Sequence, residues 1–294
     1  MKLVTLSTGS GPRVGVVDAE AGTVRDVSDL LPAGSGMLEV IEGWAELGPL
    51  LAERTGDLPA RPLDPAEVLA PIPIPRRDIF CVGKNYREHV VEFSRSGYDT
   101  PDRSEAVPEH PVLFTKATTA VTGPYADIDP HHGVTSEVDY EAELAVIIGR
   151  GGRGITREQA FDHVWGYTIV NDVTARDLQR AHKQWMLGKS LDTHCPMGPY
   201  AVTVDEVPDV TALVVESFVN GERRQSASVK DLIFDIPDLI ATLSAGITLL
   251  PGDIIATGTP AGVGIGFDPP KFLTSGDVVE VAITGLGAQR SRVA

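Results

Sequence analysis

The sequence predicts an α+β, mainly β architecture: a mixed sheet with antiparallel pieces, preceded by a small β-rich N-terminal domain. Three observations carry that expectation. Near the start, short β-prone runs alternate with turn residues, and prolines then recur at positions 59, 62, 65, 71, 73 and 75. From Asp78 onward strand-like and helix-like stretches intermix, one strand pair being joined by Asn220-Gly221. A chain of 294 residues is long enough to bury one large core or two modest ones.

Lys2 to Leu6 and Arg13 to Val17 are the first expected strands, with Gly9-Ser10-Gly11-Pro12 turning between them. A helical stretch follows around Met37 to Glu53. The proline run sustains neither a helix nor a central strand. The boundary between a small domain, residues 1–70, and a larger one, residues 71–294, is therefore placed there. Ile79 to Val82 reads as a strand, after which Asn85 is positioned to cap a short helix. On that helix His89 and Glu92, three apart, share a face. Such a pair is either a general base oriented by a carboxylate or an ordinary surface pair. Ser94 to His110 is polar and carries Gly97, Pro101 and Pro108, the composition of a lid.

The segment Asp139-Tyr140-Glu141-Ala142-Glu143-Leu144-Ala145-Val146-Ile147-Ile148-Gly149 reads as a buried strand, whose period of two sends Glu141 and Glu143 to one face. A solvated outer face also accommodates such a pair, but the nearly continuous apolar run Leu144 to Ile148 favours a strand covered on both sides. Tyr167 to Asp172 is a second strand and delivers a third carboxylate at its end, ahead of the helical stretch Ala175 to Gln179. Three buried oxygen donors need neutralising, and a hard divalent cation, Mg2+ or Mn2+, suits them.

Gly149-Arg150-Gly151-Gly152-Arg153-Gly154 matches the G-x-G-x-x-G of dinucleotide-binding folds, with Asp172 about where a ribose-binding acid would fall. Against a dehydrogenase, Thr156-Arg157-Glu158-Gln159 resembles a capping box that starts the helix after the last glycine. The strand before it would also carry two glutamates that a dinucleotide fold does not need. Asn220-Gly221, between Val214–Val219 and Glu222–Gln225, is a strong hairpin signal. The glycine-rich run Thr257 to Gly266 follows the strand Asp253 to Ala256; its amides could cradle an anion, or it is a plain turn. Lys189 is a candidate to neutralise a carboxylate or else a surface lysine, and His131-His132 reads as loop.

A formal net charge of −16 argues against nucleic acid or an anionic membrane as partner, since both select a basic surface. No apolar run approaches the roughly 20 residues that span a bilayer, and the first residues do not read as a signal peptide, so a cytoplasmic location is expected. Cys81 and Cys195, far apart and without a Cys-x-x-Cys partner, are expected to be buried free thiols.

From about Arg76 to the C-terminus the ordered set of motifs resembles the fumarylacetoacetate hydrolase family. It consists of Val82-Gly83-Lys84-Asn85-Tyr86 with His89 and Glu92, Pro111 to Lys116, Asp139 to Leu144, Asn171 to Asp177, Gly188-Lys189-Ser190, Cys195 to Pro199 and Thr257 to Gly264. The resemblance implies a mixed β-roll catalytic domain, a small N-terminal domain, a homodimer, and Mg2+ or Mn2+ on Glu141, Glu143 and Asp172. It further implies that His89 and Glu92 are a water-activating dyad on a lid and that Lys189 stabilises substrate and enolate. Arg176, Gln179 and Thr259 match substrate contacts. The implied substrate is a small 2-oxo or 2,4-dioxo acid. The leading expectation is metal-dependent hydrolysis of a C–C bond in an acylpyruvate-like 2,4-dioxo acid. The alternative on the same scaffold is an isomerase, tautomerase or decarboxylase of a 2-oxo dicarboxylic acid such as oxaloacetate. Ser94 to Glu109 is longer and more polar than the short connection of the family.

Overall fold

Strands form where β-branched residues cluster, and the structure, a computed structural model, describes residues 1–97 and 107–294. Strands of three or more residues and the α-helices follow in chain order. They are β1 (Lys2–Thr8), β2 (Gly11–Asp18), β3 (Thr23–Asp26), α1 (Met37–Glu42), α2 (Trp44–Arg54), β4 (Ile79–Gly83), α3 (Arg87–Arg95), β5 (Val112–Lys116), β6 (Ala142–Ile148) and β7 (Val164–Asn171). Then come α4 (Arg176–Ala181), α5 (Met186–Lys189), β8 (Ala201–Thr203), β9 (Val214–Val219), β10 (Glu222–Ser228), α6 (Ile236–Ser244), β11 (Ile254–Ala256), β12 (Val278–Ile283) and β13 (Gly287–Arg292).

One eleven-stranded sheet runs in the spatial order Arg61–Pro62, β3, β2, β1, β8, β7, β6, β11, β4, β5, with Val68–Leu69 added beside β1. Neighbours along it are antiparallel except β11 and β4. Because β1 is bonded to both β2 and β8, the strands of the N-terminal residues continue into those of the rest of the chain. A second sheet has the order β10, β9, β12, β13. Its β9–β10 hairpin turns on Asn220 (φ 52°) and Gly221 (φ 81°), the positive-φ pair that the Asn-Gly dipeptide predicts.

The first sheet is covered on both faces. Ala142, Leu144, Val146 and Ile148 of β6 pack toward the second sheet (Val215, Val281, Ile283) and α6 (Leu239, Ile240, Leu243). The alternate residues Ala145 and Ile147 pack with Val40, Ile41 and Leu51 of the N-terminal helices. Trp44 meets Trp165 edge to face, with centroids 5.2 Å apart. Every residue of β6 is buried, as the unbroken apolar run implied.

Local details differ from expectation in four places. The helix expected over Met37 to Glu53 breaks at Gly43, which caps both α1 and α2. The strand expected from Asp139 is interrupted: Val138–Asp139 pairs elsewhere, and Glu141 lies just before β6. Asn85 is not the helix cap; Tyr86 occupies that position, while the Asn85 amide donates to Phe234 O and Thr257 O and its oxygen accepts from Phe234 N. The run after Gly154 is a 3₁₀ helix, Arg157–His163, without a side-chain cap. The expected lid, Ser94 to Glu109, lies outside the described residues over 98–106; Ser94 and Arg95 end α3. β6 and β7 are antiparallel, whereas a dinucleotide fold needs a parallel βαβ crossover, so the glycine match after β6 is fortuitous. Cys81 and Cys195 are buried and unpaired. Among the described residues no helix is long and apolar enough to cross a membrane.

Candidate active site

Four strand ends meet at one edge of the long sheet. The antiparallel register pairs Ala142 with Asn171, so the start of β6 lies against the end of β7. Asp172 N donates to Glu141 O at 2.8 Å, and Glu141 N donates to the Asn171 side chain at 3.0 Å. Glu141, Glu143 and Asp172 thereby converge, with one carboxylate oxygen from each lying within 4.8 Å of the others and all three residues buried. β11 and β4 run in parallel to the same edge, bringing the loop after Ala256 and the segment Lys84–Asn85 beside the carboxylates.

Three cations hold this cluster. Lys189, the last residue of α5, donates to Glu141 Oε2 at 2.8 Å and Asp172 Oδ2 at 2.7 Å. Lys116, at the end of β5, donates to Asp172 Oδ1 at 2.6 Å and to Val173 O at 3.0 Å. Arg176 donates through Nε to Asp139 at 2.9 Å and through Nη1 to Gln179 at 3.1 Å. Its Nη2 lies 2.7 Å from Glu141 Oε1, close enough for charge pairing although not aligned as a hydrogen bond.

The electrostatics are uneven. Burial opposes ionisation of Glu141, but Lys189 and Arg176 outweigh it and hold the carboxyl down at about 2. Glu143 is pushed well up, first by burial and then by Asp172 and Glu141. Its own donor is Gly258 N–H at 2.8 Å, and among the described residues it makes no ion pair. Burial works against the Lys189 ammonium, yet Asp172 and Glu141 raise its pKa overall. Asp139, Glu141, Glu143 and Asp172 are thus four carboxylates facing three cations. The oxygen donors of Glu141, Glu143 and Asp172, which converge within 4.8 Å, fit a hard divalent ion, whose charge would favour the ionised Glu143.

His89 and Glu92 lie on α3, His89 Nδ1 being 3.1 Å from Glu92 Oε2. Both are largely buried, at 5% and 14% side-chain exposure, so this is no surface pair. His89 lines a small cavity together with Glu141, Glu143, Arg176, Lys189 and Trp185. Phe93, Phe114 and Trp185 form an aromatic rim, with centroids 6.1 and 5.4 Å from Trp185. Gly83 sits beneath Trp185, where a Cβ would collide with the indole.

The structure brings together all nine residues singled out from the sequence. Gln179 is held by Arg176, and Thr259 accepts from Gln225 Nε2 at 2.7 Å. Sequence reasoning quoted Lys116 and Asp139 within motifs without giving either a role, and it missed Gln225 as a site residue. Gln225 is buried in β10, where it also donates to Pro260 O, while its oxygen accepts from Ala142 N and Ser217 Oγ. Its neighbours Glu222, Arg223 and Arg224 read as solvated hairpin, so no local signal marks it. Lys116, which ends an apolar strand, and Asp139, which heads the acidic one, each carried a faint signal.

The glycine-rich loop is a nest for the protein's own carboxylates. Gly258 N donates to Glu143, Gly262 N to Glu92 Oε1 at 2.8 Å, and Gly264 N and Ile265 N to Asp139 at 2.6 and 3.2 Å.

A family model described as fumarylacetoacetate (FAA) hydrolase C-terminal matches residues 78–294. Oxaloacetate tautomerase YisK of Bacillus subtilis (strain 168) is 53% identical over 232 residues, 79% of this chain and 74% of that protein. The mitochondrial oxaloacetate tautomerase FAHD2B of Bos taurus is 40% identical over 290 residues, 97% of this chain and 88% of that protein. Maleylpyruvate hydrolase from Sphingobium sp. SYK-6, solved in complex with manganese (II) ion and pyruvate, superposes with a TM-score of 0.79 at 30% identity. The match covers 100% of this chain and 99% of that one.

Proposed function

The chain belongs to the fumarylacetoacetate hydrolase family of enzymes, and from that premise we propose that it is a metal-dependent tautomerase of a small 2-oxo dicarboxylic acid such as oxaloacetate. The observation that carries the reading is the shared name of the two relatives, one of them matched over 97% of this chain. Of the two reactions expected from sequence, they support enolate isomerisation better than C–C hydrolysis. The geometry agrees, because a single cavity sets an acid–base side chain, His89, opposite a cluster rich in charge.

Glu141, Glu143 and Asp172 would hold the ion. When bound, it would supply Lewis-acid polarisation of the 2-oxo group, making the neighbouring C–H more acidic. His89 would take the proton from C3 and return it to the enolate oxygen, or run the transfer in reverse, so that atoms balance without water entering the product. Glu92 orients the imidazole through Nδ1, leaving Nε2 for the substrate. Lys189 would stabilise the charge that develops on the oxygen. Arg176, with Gln179, and Thr259 would position the carboxylates. The identity of the ion, Mg2+ or Mn2+, a homodimeric state and a cytoplasmic location belong to the same proposal.

The test follows the ultraviolet absorbance of the conjugated enol of oxaloacetate with added Mg2+ or Mn2+ and after chelation. Parallel assays measure pyruvate released from an acylpyruvate and CO2 released from oxaloacetate. Metal-dependent acceleration of enol–keto exchange is expected. Rapid pyruvate release from the acylpyruvate without such exchange would return the hydrolase reading to first place.

A further inference from the structure

The glycines of the loop after β11 differ in what they require. Gly258 and Gly262 have φ of +106° and +107°, so the backbone alone favours glycine there. Gly266 closes the 3₁₀ turn Gly264–Gly266 without a positive φ. Its N–H donates to Val263 O at 2.9 Å, so the backbone would accept any residue but proline, and the reason for a glycine lies in its surroundings. A Cβ on Gly266 would overlap the carboxylate of Glu92 and stand 2.6 Å from its Cγ. The three nearest atoms all belong to that one side chain.

Glu92 has nowhere to yield without losing its partners. Oε1 accepts from Gly262 N–H at 2.8 Å, and Oε2 faces His89 Nδ1 at 3.1 Å. The helix that carries Glu92 is separately anchored to the same loop, since Phe93 packs against Val263 and Ile265 in a small apolar cluster. A methyl group at position 266 therefore meets the movable end of Glu92 while helix and loop stay together.

We propose that Gly266 is a positioning residue for proton transfer: its missing side chain is the seat of Glu92, and the Gly262 amide pins the carboxylate in that seat so that it faces His89. The proposal rests on the assignment of His89 and Glu92 as the proton-transfer pair. It makes the loop after β11 a common support, since the same stretch of backbone holds Glu92 of the dyad and Glu143 of the carboxylate triad.

Wild type, Gly266→Ala, Glu92→Ala and the double variant form a cycle. Each is measured for kcat and KM on oxaloacetate enol, for Mg2+ affinity by calorimetry, and for melting temperature. Gly266→Ala is expected to lower kcat on the order of tenfold or more, toward the level of Glu92→Ala. KM and Mg2+ affinity should stay within about twofold of wild type, as for sites that do not interact. In the Glu92→Ala background the same substitution should change kcat by less than about twofold and leave the melting temperature unaltered. A variant that folds poorly only when Glu92 is present upholds the coupling through stability. Equal losses in both backgrounds, misfolding in both, or an unchanged kcat in Gly266→Ala overturns it. If wild type hydrolyses an acylpyruvate but does not exchange the enol, the tautomerase reading fails by itself, and the cycle is read on hydrolysis, which uses the same pair.

Discussion

Lys116 and Asp172 form an ion pair at 2.6 Å in which both side chains are fully buried, and Lys189 closes the other oxygen of the same carboxylate at 2.7 Å. Asp172 is therefore gripped from both sides before any ion is considered. Its orientation toward Glu141 and Glu143 is a property of the folded chain.

Lys116→Met keeps the aliphatic stem and deletes the charge, leaving one oxygen of a buried carboxylate without its partner. Breaking a buried pair costs about 3–5 kcal/mol, and because Lys189 still compensates, the lower end of that range is expected. Added Mg2+ should recover part of the loss, since it binds the native state alone. Denaturant unfolding with and without the ion measures both effects. Unchanged stability would mean that the pair contributes nothing.

His89→Ala and Asp172→Ala should separate proton transfer from metal holding. The first should lower turnover by roughly 10²–10⁴-fold, the range for loss of a general acid–base group, with Mg2+ affinity nearly unchanged. The second should abolish Mg2+ binding at ordinary concentrations, with activity partly restored at high metal. Calorimetry beside steady-state kinetics distinguishes them. The reverse pattern would mean that the two roles have been assigned to the wrong residues.

His194 should make stability depend on pH. Burial, reinforced by the Lys116 cation, holds its pKa down at about 3 against an ordinary 6.5. The unfolded chain therefore binds a proton that the folded protein refuses. This contribution is fully present above about pH 6.5 and is lost as pH falls toward 3, with a slope of at most about 1.4 kcal/mol per pH unit. His194→Gln should flatten the difference in unfolding free energy between pH 7 and pH 5. An identical difference in both proteins would exclude His194 as its source.

How much of the site the sequence made legible follows from how far apart the interacting residues lie. His89 and Glu92 are three residues apart on one helix, and helical geometry pairs them wherever the helix goes. Glu141 and Glu143 are two apart at the mouth of a strand. Neither relation needs the rest of the molecule. By contrast, Lys116 and Asp172 are 56 residues apart, and Gln225 and Thr259 are 34 apart. No local pattern announces either partnership. The ordered motifs from Val82 to Gly264 did announce the family, because a set of weak signals in fixed order is far more specific than any one of them.

The sequence by itself determined several of the strands, the Asn220-Gly221 hairpin, the acidic and helical pairs, and the family, since each is written in neighbouring residues or in motif order. Tertiary structure alone decided three further relations. Asn85 is a tie between Phe234 and Thr257 and not a cap. The loop glycines bind Glu92, Asp139 and Glu143 of the chain itself. Three cations leave Glu143 as the carboxylate without an ion pair among the described residues. The physical reason is the same in each case: backbone dihedrals and periodicity act over a few residues, whereas buried charge and hydrogen bonding are settled by whichever strand ends the sheet brings to one edge.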